Sequence, residues 1–187
     1  MKKLGFATAA LLLAFSLGGC NKLTQYTIDE QEVNQYLQKH NDYQKQLGIP
    51  GVVDANIVLT GLSSQIGRAE PGKVTLSGDA KVDITSLLGN QTADLKLTLK
   101  AQPVYDKEQG AIYLQEMELV DYAVQPEKMQ TVMNTLSPYL NQSLKSYFAQ
   151  KPAYILNADN SATEALAKKM AKGIEIKPGK IVILLTD

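Results

Sequence analysis

A strict alternation of apolar and polar residues, sustained over two long stretches, is the feature that most restricts how this chain can fold. Over residues 93–101, alanine or leucine occupies every odd position, and aspartate, lysine or threonine every even one. Residues 74–85 alternate in the same way. Successive side chains of a strand point to opposite faces, so a period of two indicates strands with one buried and one solvated face. Such one-sided strands favour an antiparallel sheet.

Two shorter stretches extend this sheet. Residues 53–59 alternate with the same period, and residues 112–119 do so with a change of parity between Leu114 and Met117. A parity change within a strand indicates a β-bulge, which we place near Gln115–Glu116 and which bends the strand. The elements predicted nearer the C-terminus are a strand at 153–156, a helix at 161–172 and a hairpin of 174–176 with 181–185.

Apolar residues at helical spacing mark two longer helices. A capping box at residues 27–30 precedes the first apolar stripe and predicts a helix over 28–47. A proline at the first position of the second stripe predicts a helix over 126–149, which Pro138 should kink. This helix would be about 36 Å long, as long as a strand of roughly 11 residues. We therefore predict an α+β fold with a long kinked helix packed in a strongly curved antiparallel β-sheet, and an additional N-terminal helix.

The N-terminus has the parts of a secretory signal peptide. Lys2 and Lys3 precede an apolar run over residues 4–17, which is too short to span a membrane. The run ends in the sequence Leu-Gly-Gly-Cys, which is similar to a bacterial lipobox, where cleavage before the Cys leaves an acylated N-terminal residue. An ordinary signal peptide followed by a chance Cys is the alternative. The chain's only cysteine stands in lipobox register, which favours lipidation, as with palmitate, at Cys20.

These signals divide the chain into three parts. Residues 1–19 are predicted to be a lipoprotein signal peptide, 20–26 a lipidated Cys with its tether, and 27–187 a single α+β domain. Asn21 follows the Cys where an Asp would favour retention, which by resemblance to lipoprotein sorting implies the periplasmic face of the outer membrane. Without a second Cys, the domain must fold without an internal disulfide.

Charge and motifs argue against several classes of function. The chain carries 19 basic and 19 acidic residues, so it lacks the basic footprint of a nucleic-acid-binding protein. His40 is the only histidine, and Glu116 and Glu118 lie on the polar side of a strand, as do Asp79 and Asp83. We therefore predict no catalytic residue, no metal and no cofactor. Lysines that cluster near the C-terminus could attract anionic head groups, although ordinary surface charge is the simpler interpretation: Lys168, Lys169, Lys172, Lys177 and Lys180.

The apolar stripe of the second long helix is the one candidate binding site. Methionine adapts to variable apolar ligands, although a stripe of this kind also fits an ordinary hydrophobic core. The candidate ligand-binding residues are Met129, Val132, Met133, Leu136, Leu140 and Leu144.

The whole chain resembles a known family. The lipobox, the helix start at residues 27–30, the run 78–84 and the helix at 126–147 resemble the YceB-type lipoproteins of enteric bacteria. That family is similar in architecture to the tubular lipid-binding (TULIP) superfamily, in which lipid occupies the groove between a long helix and a curved sheet. The resemblance implies a membrane-anchored periplasmic lipoprotein that binds a phospholipid or fatty acid in such a groove.

Two alternatives remain open at this stage. One is a non-enzymatic scaffold or accessory lipoprotein that binds an envelope protein or peptidoglycan, for example through an edge strand at 181–185. The other is an enzyme, which would need a catalytic constellation around His40 or Glu116. A continuous apolar cavity would favour lipid binding, and dense packing throughout would favour the scaffold.

Overall fold

The structure is a computed structural model that describes residues 24–86 and 89–185; the predicted signal peptide and Cys20 lie outside this part. Its elements are β1 Gln25–Asp29, α1 Glu30–Lys39, β2 Gln44–Ile49, β3 Val53–Ile66, β4 Val74–Ser86, β5 Gly89–Asp106, β6 Ala111–Gln125, a 3₁₀ helix Glu127–Met129, α2 Gln130–Gln150, β7 Tyr154–Ile155, α3 Ala162–Met170, β8 Gly173–Lys177 and β9 Lys180–Leu184. The predicted α+β fold is confirmed.

The alternating stretches form the centre of a six-stranded antiparallel sheet in the order β2-β3-β4-β5-β6-β7. The β4–β5 ladder is unbroken from the Val74–Ala101 pair to the Ser86–Gly89 pair. Along β4 and β5 the apolar side chains are buried and most of the polar ones exposed, as the period of two predicts. The inner face therefore lines the core. Its fully buried side chains include Ile57, Leu76, Val82, Ile84, Leu95 and Leu99.

The predicted bulge in β6 is confirmed. The β5–β6 register shifts opposite Lys100 and Gln102, and Glu116 on β6 has a φ of 51°. A second shift lies between Thr98 and Leu99. Each extra residue bends the strand and increases its twist.

The sheet curls around α2. This helix packs along β6 and also touches β2, although three strands separate β2 from β6. In a flat sheet those two strands would be about 19 Å apart, whereas a helix with its side chains is only about 10–12 Å across. One helix can touch both strands only because the sheet is strongly curved.

Helix α2 continues past Pro138, as predicted. Proline has no N–H, so the carbonyl four residues earlier loses its helical partner. That carbonyl belongs to Asn134, and it accepts a hydrogen bond from the Ser137 hydroxyl at 3.1 Å instead. The neighbouring serine thus satisfies the group that the proline leaves free, and the ring of Pro138 lies in solvent.

The prediction of one helix over residues 28–47 is wrong. Residues 25–29 form β1, with Thr27 paired to Val182 of β9, so the capping box starts at Asp29 and closes with Glu32. Residues 44–49 form β2, an edge strand that pairs with β3. Because β1 begins at Gln25, two residues of the predicted tether belong to a strand.

The C-terminal hairpin joins β1 in a second sheet, of order β1-β9-β8. Strand β9 is therefore central, and the prediction of a free edge at 181–185 is wrong. The hairpin turn packs against the end of β3, since Gly179 N donates to Ile66 O at 2.8 Å. The preceding helix α3 is capped by Ser161, whose hydroxyl accepts from Glu164 N at 3.0 Å.

Candidate functional site

The predicted ligand-binding stripe lies on the face of α2 that is turned to the sheet. Val132 is half-buried, and the other members are 0–1 % exposed and belong to the main core. The stripe thus forms a closed apolar floor between helix and sheet. The fully buried members are Met129, Met133, Leu136, Leu140 and Leu144.

On one side, α2 is attached to β6. Asn141 Oδ1 accepts a hydrogen bond from the backbone N–H of Leu119 at 2.8 Å, beside the register shift in β6. The Tyr122 hydroxyl donates to Asn134 Oδ1, about two turns earlier in the helix. The bulge leaves the backbone N–H of Leu119 without a partner in the sheet, and the side chain of Asn141 binds it. This side of the helix is therefore joined to the main chain of β6.

On the other side, α2 is joined through side chains to the two residues just before the edge strand β2. The Tyr43 hydroxyl donates to Ser143 Oγ at 3.0 Å. Asp42 accepts from the Tyr147 hydroxyl and from Lys151 Nζ, the latter at 2.9 Å. We call this group, Asp42 with Tyr147 and Lys151, the clasp.

Electrostatics agree with this geometry. The hydrogen bond from Tyr147, and next that from Lys151, hold the pKa of the Asp42 carboxyl below its ordinary value. Burial, and next the bond to Asp42, raise the pKa of Tyr147. Burial likewise raises the pKa of Tyr43. Both tyrosines are therefore neutral hydrogen-bond donors at any physiological pH.

A groove of about 480 Å³ runs between β2 and α2, and we call it the seam groove. Leu47 of β2 and the tyrosines at 43, 139 and 147 provide its apolar surface. Lys45 is its one charged lining residue, and the rest of the lining is Gln44 of β2 with glutamines and serines of the helix. This volume falls within the range of about 300–1,000 Å³ that is usual for small-molecule sites.

A second groove, of about 640 Å³, adjoins the first at the tip of the β2–β3 hairpin. Both are lined by Leu47, and the tip groove adds Ile49, Val52 and Val53. Val52 is 58 % exposed, the largest exposed fraction among the large apolar side chains of the described part. Apolar surface therefore continues from the helix seam along β2 to the hairpin tip.

The other side chains considered from the sequence do not form a site. His40 ends α1, with Nδ1 at 2.8 Å from Tyr36 O and its ring stacked on Tyr36 at 4.0 Å. Glu116 and Glu118 are both exposed on β6. Among residues 24–86 and 89–185, no three His, Cys, Asp or Glu side chains are grouped so as to hold a metal ion.

Two ion pairs join β4 to β5 on the outer face of the sheet. Asp79 binds Lys96 at 3.1 Å, and Lys81 binds Asp94 at 2.9 Å, each pair across the β4–β5 ladder on the solvated face. Exposed pairs of this kind contribute little to stability. They belong to an ordinary outer sheet face.

Comparison with known proteins places the chain in a family. The model of a family described as "Protein of unknown function (DUF1439)" matches residues 28–180. The chain belongs to this family. Proteins named "Uncharacterized lipoprotein YceB" from Escherichia coli K12, Shigella flexneri and Salmonella typhimurium are each 65 % identical to it over 187 residues, the full length of both chains. The resemblance to YceB-type lipoproteins is thus confirmed, and neither the family description nor these names mentions an enzymatic activity.

One solved structure, a crystal structure of lipopolysaccharide binding protein, aligns with 87 % of this chain at 12 % identity and a TM-score of 0.35. The chain spans 50 % of that protein's length. A likeness this distant carries no weight for fold or ligand. In the part of the chain that the structure describes, no helix is long and apolar enough to cross a membrane.

Sequence reasoning missed the residues that line the seam groove. The apolar spacing of residues 43–47 predicts the end of a helix, whereas residues 44–49 form β2, so the predicted site does not include this strand. One signal was available: Pro50 and Gly51 stand between two stretches that can both alternate, and Gly51 takes a φ of 76° in the hairpin turn.

Proposed function

We propose that this protein is a non-enzymatic lipoprotein attached through Cys20 to the periplasmic face of the outer membrane. The names of its full-length relatives support lipoprotein character. The residues that would carry the anchor, the Leu-Gly-Gly-Cys sequence and Asn21, support the lipid site and its destination. The short tether would then hold a single domain, residues 27–187, close to its membrane.

We propose further that the domain binds a lipid, a phospholipid or a fatty acid, between α2 and the curved sheet. The seam groove is the observation that carries this proposal, because it joins apolar surface on β2 to apolar surface on α2. The acyl chain would enter between Tyr43 and Tyr139, above the floor that Leu140 and Leu144 form. The predicted stripe, which forms this floor, is then the apolar surface that the acyl chain contacts once β2 moves away from α2.

The energetics favour this side of the helix. Separating β2 from α2 breaks the hydrogen bond between Tyr43 and Ser143, which is worth about 1 kcal/mol, and the exposed clasp at Asp42. A buried methylene contributes about 0.8 kcal/mol, so several methylenes of an acyl chain offset this loss. Opening the β6 side would instead leave the backbone donor of Leu119 without its partner. The seam at β2 is the cheaper place to separate helix from sheet.

Two matched substitutions on α2 test the groove. Ser146 and Thr135 are both exposed, and each hydroxyl bonds the carbonyl four residues earlier in the helix. Ser146 lines the seam groove and Thr135 does not. We expect Ser146→Trp to fill the groove and weaken binding of a fluorescent fatty acid about tenfold or more, and Thr135→Trp to leave it unchanged.

Native mass spectrometry of the full chain, purified from membranes, gives an independent measure. A stoichiometric phospholipid or fatty acid beyond the Cys20 anchor, lost in Ser146→Trp and kept in Thr135→Trp, is the expected result. No bound lipid in the wild type after incubation with envelope lipids, or equal binding by both variants, would rule out the seam groove as a lipid site.

A scaffold that binds an envelope protein or peptidoglycan is the second candidate. It is favoured by the dense packing of the stripe, where Met133, Leu136 and Leu140 are fully buried and leave the predicted ligand space to protein side chains. Strand β2, at one edge of the large sheet, could then pair with a strand of the partner, whereas β9 is central in its own sheet. Cross-linking from Lys45 of β2 to a defined envelope protein, unaffected by Ser146→Trp, would support this function over lipid binding.

A further inference from the structure

Helix α3 presents apolar side chains to solvent. Leu166 and Met170 are 39 % and 40 % exposed, and their spacing of four residues places them on one face of the helix. Leu184, at the end of β9, is 37 % exposed. Exposed apolar residues that stand together mark an interaction surface more often than isolated ones do.

Backbone hydrogen bonds join the end of α3 to the point where the chain enters the domain. Lys172 N donates to Leu184 O at 2.8 Å, and Leu185 N donates to Thr24 O at 2.9 Å. Gln25 of β1 and Gly173 of β8 both pair with Leu184 from either side. The exposed apolar residues and the start of the described chain therefore lie at the same end of the molecule.

Covalent geometry limits how far this end can stand from a membrane. Cys20 precedes Thr24 by four residues, which span at most about 14 Å. An acylated Cys20 would hold Thr24, and with it the end of α3, within that distance of the lipid surface. The face around α3 then lies against the membrane and not toward the open periplasm.

The charge of this face suits an anionic surface. Between residues 162 and 172, Glu164 is the one acidic residue, and it is buried, where its carboxylate accepts from Asn157 N at 2.9 Å and from the Tyr154 hydroxyl at 3.2 Å. Lys168 and Lys169 are exposed, and no ion pair within the described ranges involves either of them. The exposed face of α3 is thus positive and apolar together, as in helices that lie on membranes.

We propose that Leu166, Met170, Leu184, Lys168 and Lys169 form a docking face that sits on the anionic phospholipid surface of the membrane in which Cys20 is anchored. This inference rests on the lipidation proposed above. It adds that the domain has one orientation on its membrane, where a tether alone would leave it free to turn.

The orientation directs the hairpin tip away from the anchor. Lys168 of the docking face lies beside Gly110, in the turn between β5 and β6. That turn lies beyond the end of β4 where Val74 pairs with Ala101, whereas Val53 of the hairpin pairs with Ser86 at the opposite end of β4. The 13 residues of β4 place these two ends about 40 Å apart. With the docking face on the lipid, Val52 and the tip groove point into the periplasm.

Spin labels on the full-length, processed protein test this orientation. A lipidated Cys20 has no free thiol, so Met170→Cys and, as the matched exposed control, Val52→Cys each provide a single labelling site. The proteins are reconstituted in vesicles of phosphatidylethanolamine with phosphatidylglycerol. We expect the label at position 170 to collide with lipid-soluble oxygen and to be shielded from a water-soluble nickel chelate, and the label at position 52 to show the reverse.

Vesicle composition and charge give the second measurement. Each lysine near an anionic surface strengthens binding about fivefold. We therefore expect the double variant Lys168→Gln, Lys169→Gln to make the label at position 170 accessible to the nickel chelate while the protein stays anchored. Vesicles of phosphatidylcholine alone should have the same effect on protein with the wild-type lysines. Leu166→Cys replaces Met170→Cys if the latter does not fold.

Three results would overturn the docking face. If the labels at positions 170 and 52 were equally accessible to the nickel chelate in protein retained by the vesicles, the docking face would be refuted and the anchor would stand. Protein that does not stay with the vesicles would remove anchor and docking face together. A label at position 170 shielded from both reagents would show that a second copy covers the face.

Discussion

Substitution of Leu144 by alanine measures how closed the floor beneath the seam groove is. Leu144 is fully buried on α2, between two residues that line the groove, Ser143 and Tyr147. Alanine removes three carbon atoms and keeps the helix intact, because both residues are good helix formers. The change therefore acts on packing alone.

The expected loss follows from these atoms. Three carbons at about 0.8 kcal/mol each account for about 2.4 kcal/mol of lost burial, and the cavity left in a rigid core raises the total to about 3–4 kcal/mol. For a domain of this size, each kcal/mol lowers Tm by about 2–4 °C. We expect Leu144→Ala to lower Tm by roughly 6–16 °C.

The assay is thermal and urea unfolding of the variant beside Leu166→Ala. Leu166 is a helical leucine that is 39 % exposed, so the same chemical change there should cost less than about 1 kcal/mol. If Leu144→Ala also cost less than about 1 kcal/mol, the α2 stripe would not be packed as a closed floor. A fatty acid that binds the seam should raise the Tm of Leu144→Ala more than that of the wild type, because its chain can enter the new space.

Three further predictions concern single contacts. Asp42→Asn weakens the clasp with Tyr147 and should lower the urea midpoint of unfolding. The pKa of Asp42 is depressed in the folded protein, so its carboxylate stabilises the fold above the ordinary pKa of Asp, and this stability is lost as pH falls through the folded pKa. The difference in urea midpoint between wild type and variant should therefore disappear in acid. Burial first and the Glu164 carboxylate second raise the pKa of Tyr26 to about 12, so Glu164→Gln should let Tyr26 titrate at lower pH in an NMR titration; an unchanged value would refute the coupling. Gly110 has a φ of 64°, so Gly110→Ala should cost about 1–2 kcal/mol in chemical denaturation, and no loss would show that the turn relaxes.

The central sheet could be predicted from the sequence because each strand is long enough to show its period. In β4 and β5 the alternation continues for more than ten residues, and it reports burial on one face directly. Even the bulge at Glu116 was visible as a parity change in β6. Helix α2 was equally clear, since its apolar stripe continues on both sides of Pro138.

The N-terminal quarter could not be predicted because its patterns fit two structures. Tyr43 and Leu47 are four residues apart, which suits one helix face and also one face of a strand. Pairing with β3 decides between the helix and the strand, and the local sequence pattern does not reveal that pairing. The capping box was displaced by two residues for a similar reason: Ile28 is fully buried in β1, so the helix cannot begin before Glu30.

The candidate site was half predicted for the same physical reason. Its floor, on α2, is a property of one helix and appears in that helix's own periodicity. Its outer wall is formed by Leu47 of β2 and by Tyr43 just before that strand, and it exists only because the sheet curls until its edge reaches the helix. The curl depends on bulges and twist accumulated over several strands, which no single segment encodes.

The edge position of β2 explains why the seam between β2 and α2 is the weaker side of the helix. Strand β6 has a strand on each side, and its amide at Leu119 is held by the helix, so moving it would break main-chain bonds on both flanks. Strand β2 has one strand neighbour, and the residues just before it, Asp42 and Tyr43, join it to α2 through side-chain hydrogen bonds. Local opening follows the weakest set of bonds, so the seam at β2 opens before the core does. On the proposed function, a domain anchored beside its membrane would open this groove for an acyl chain and close it again while its sheet stays folded.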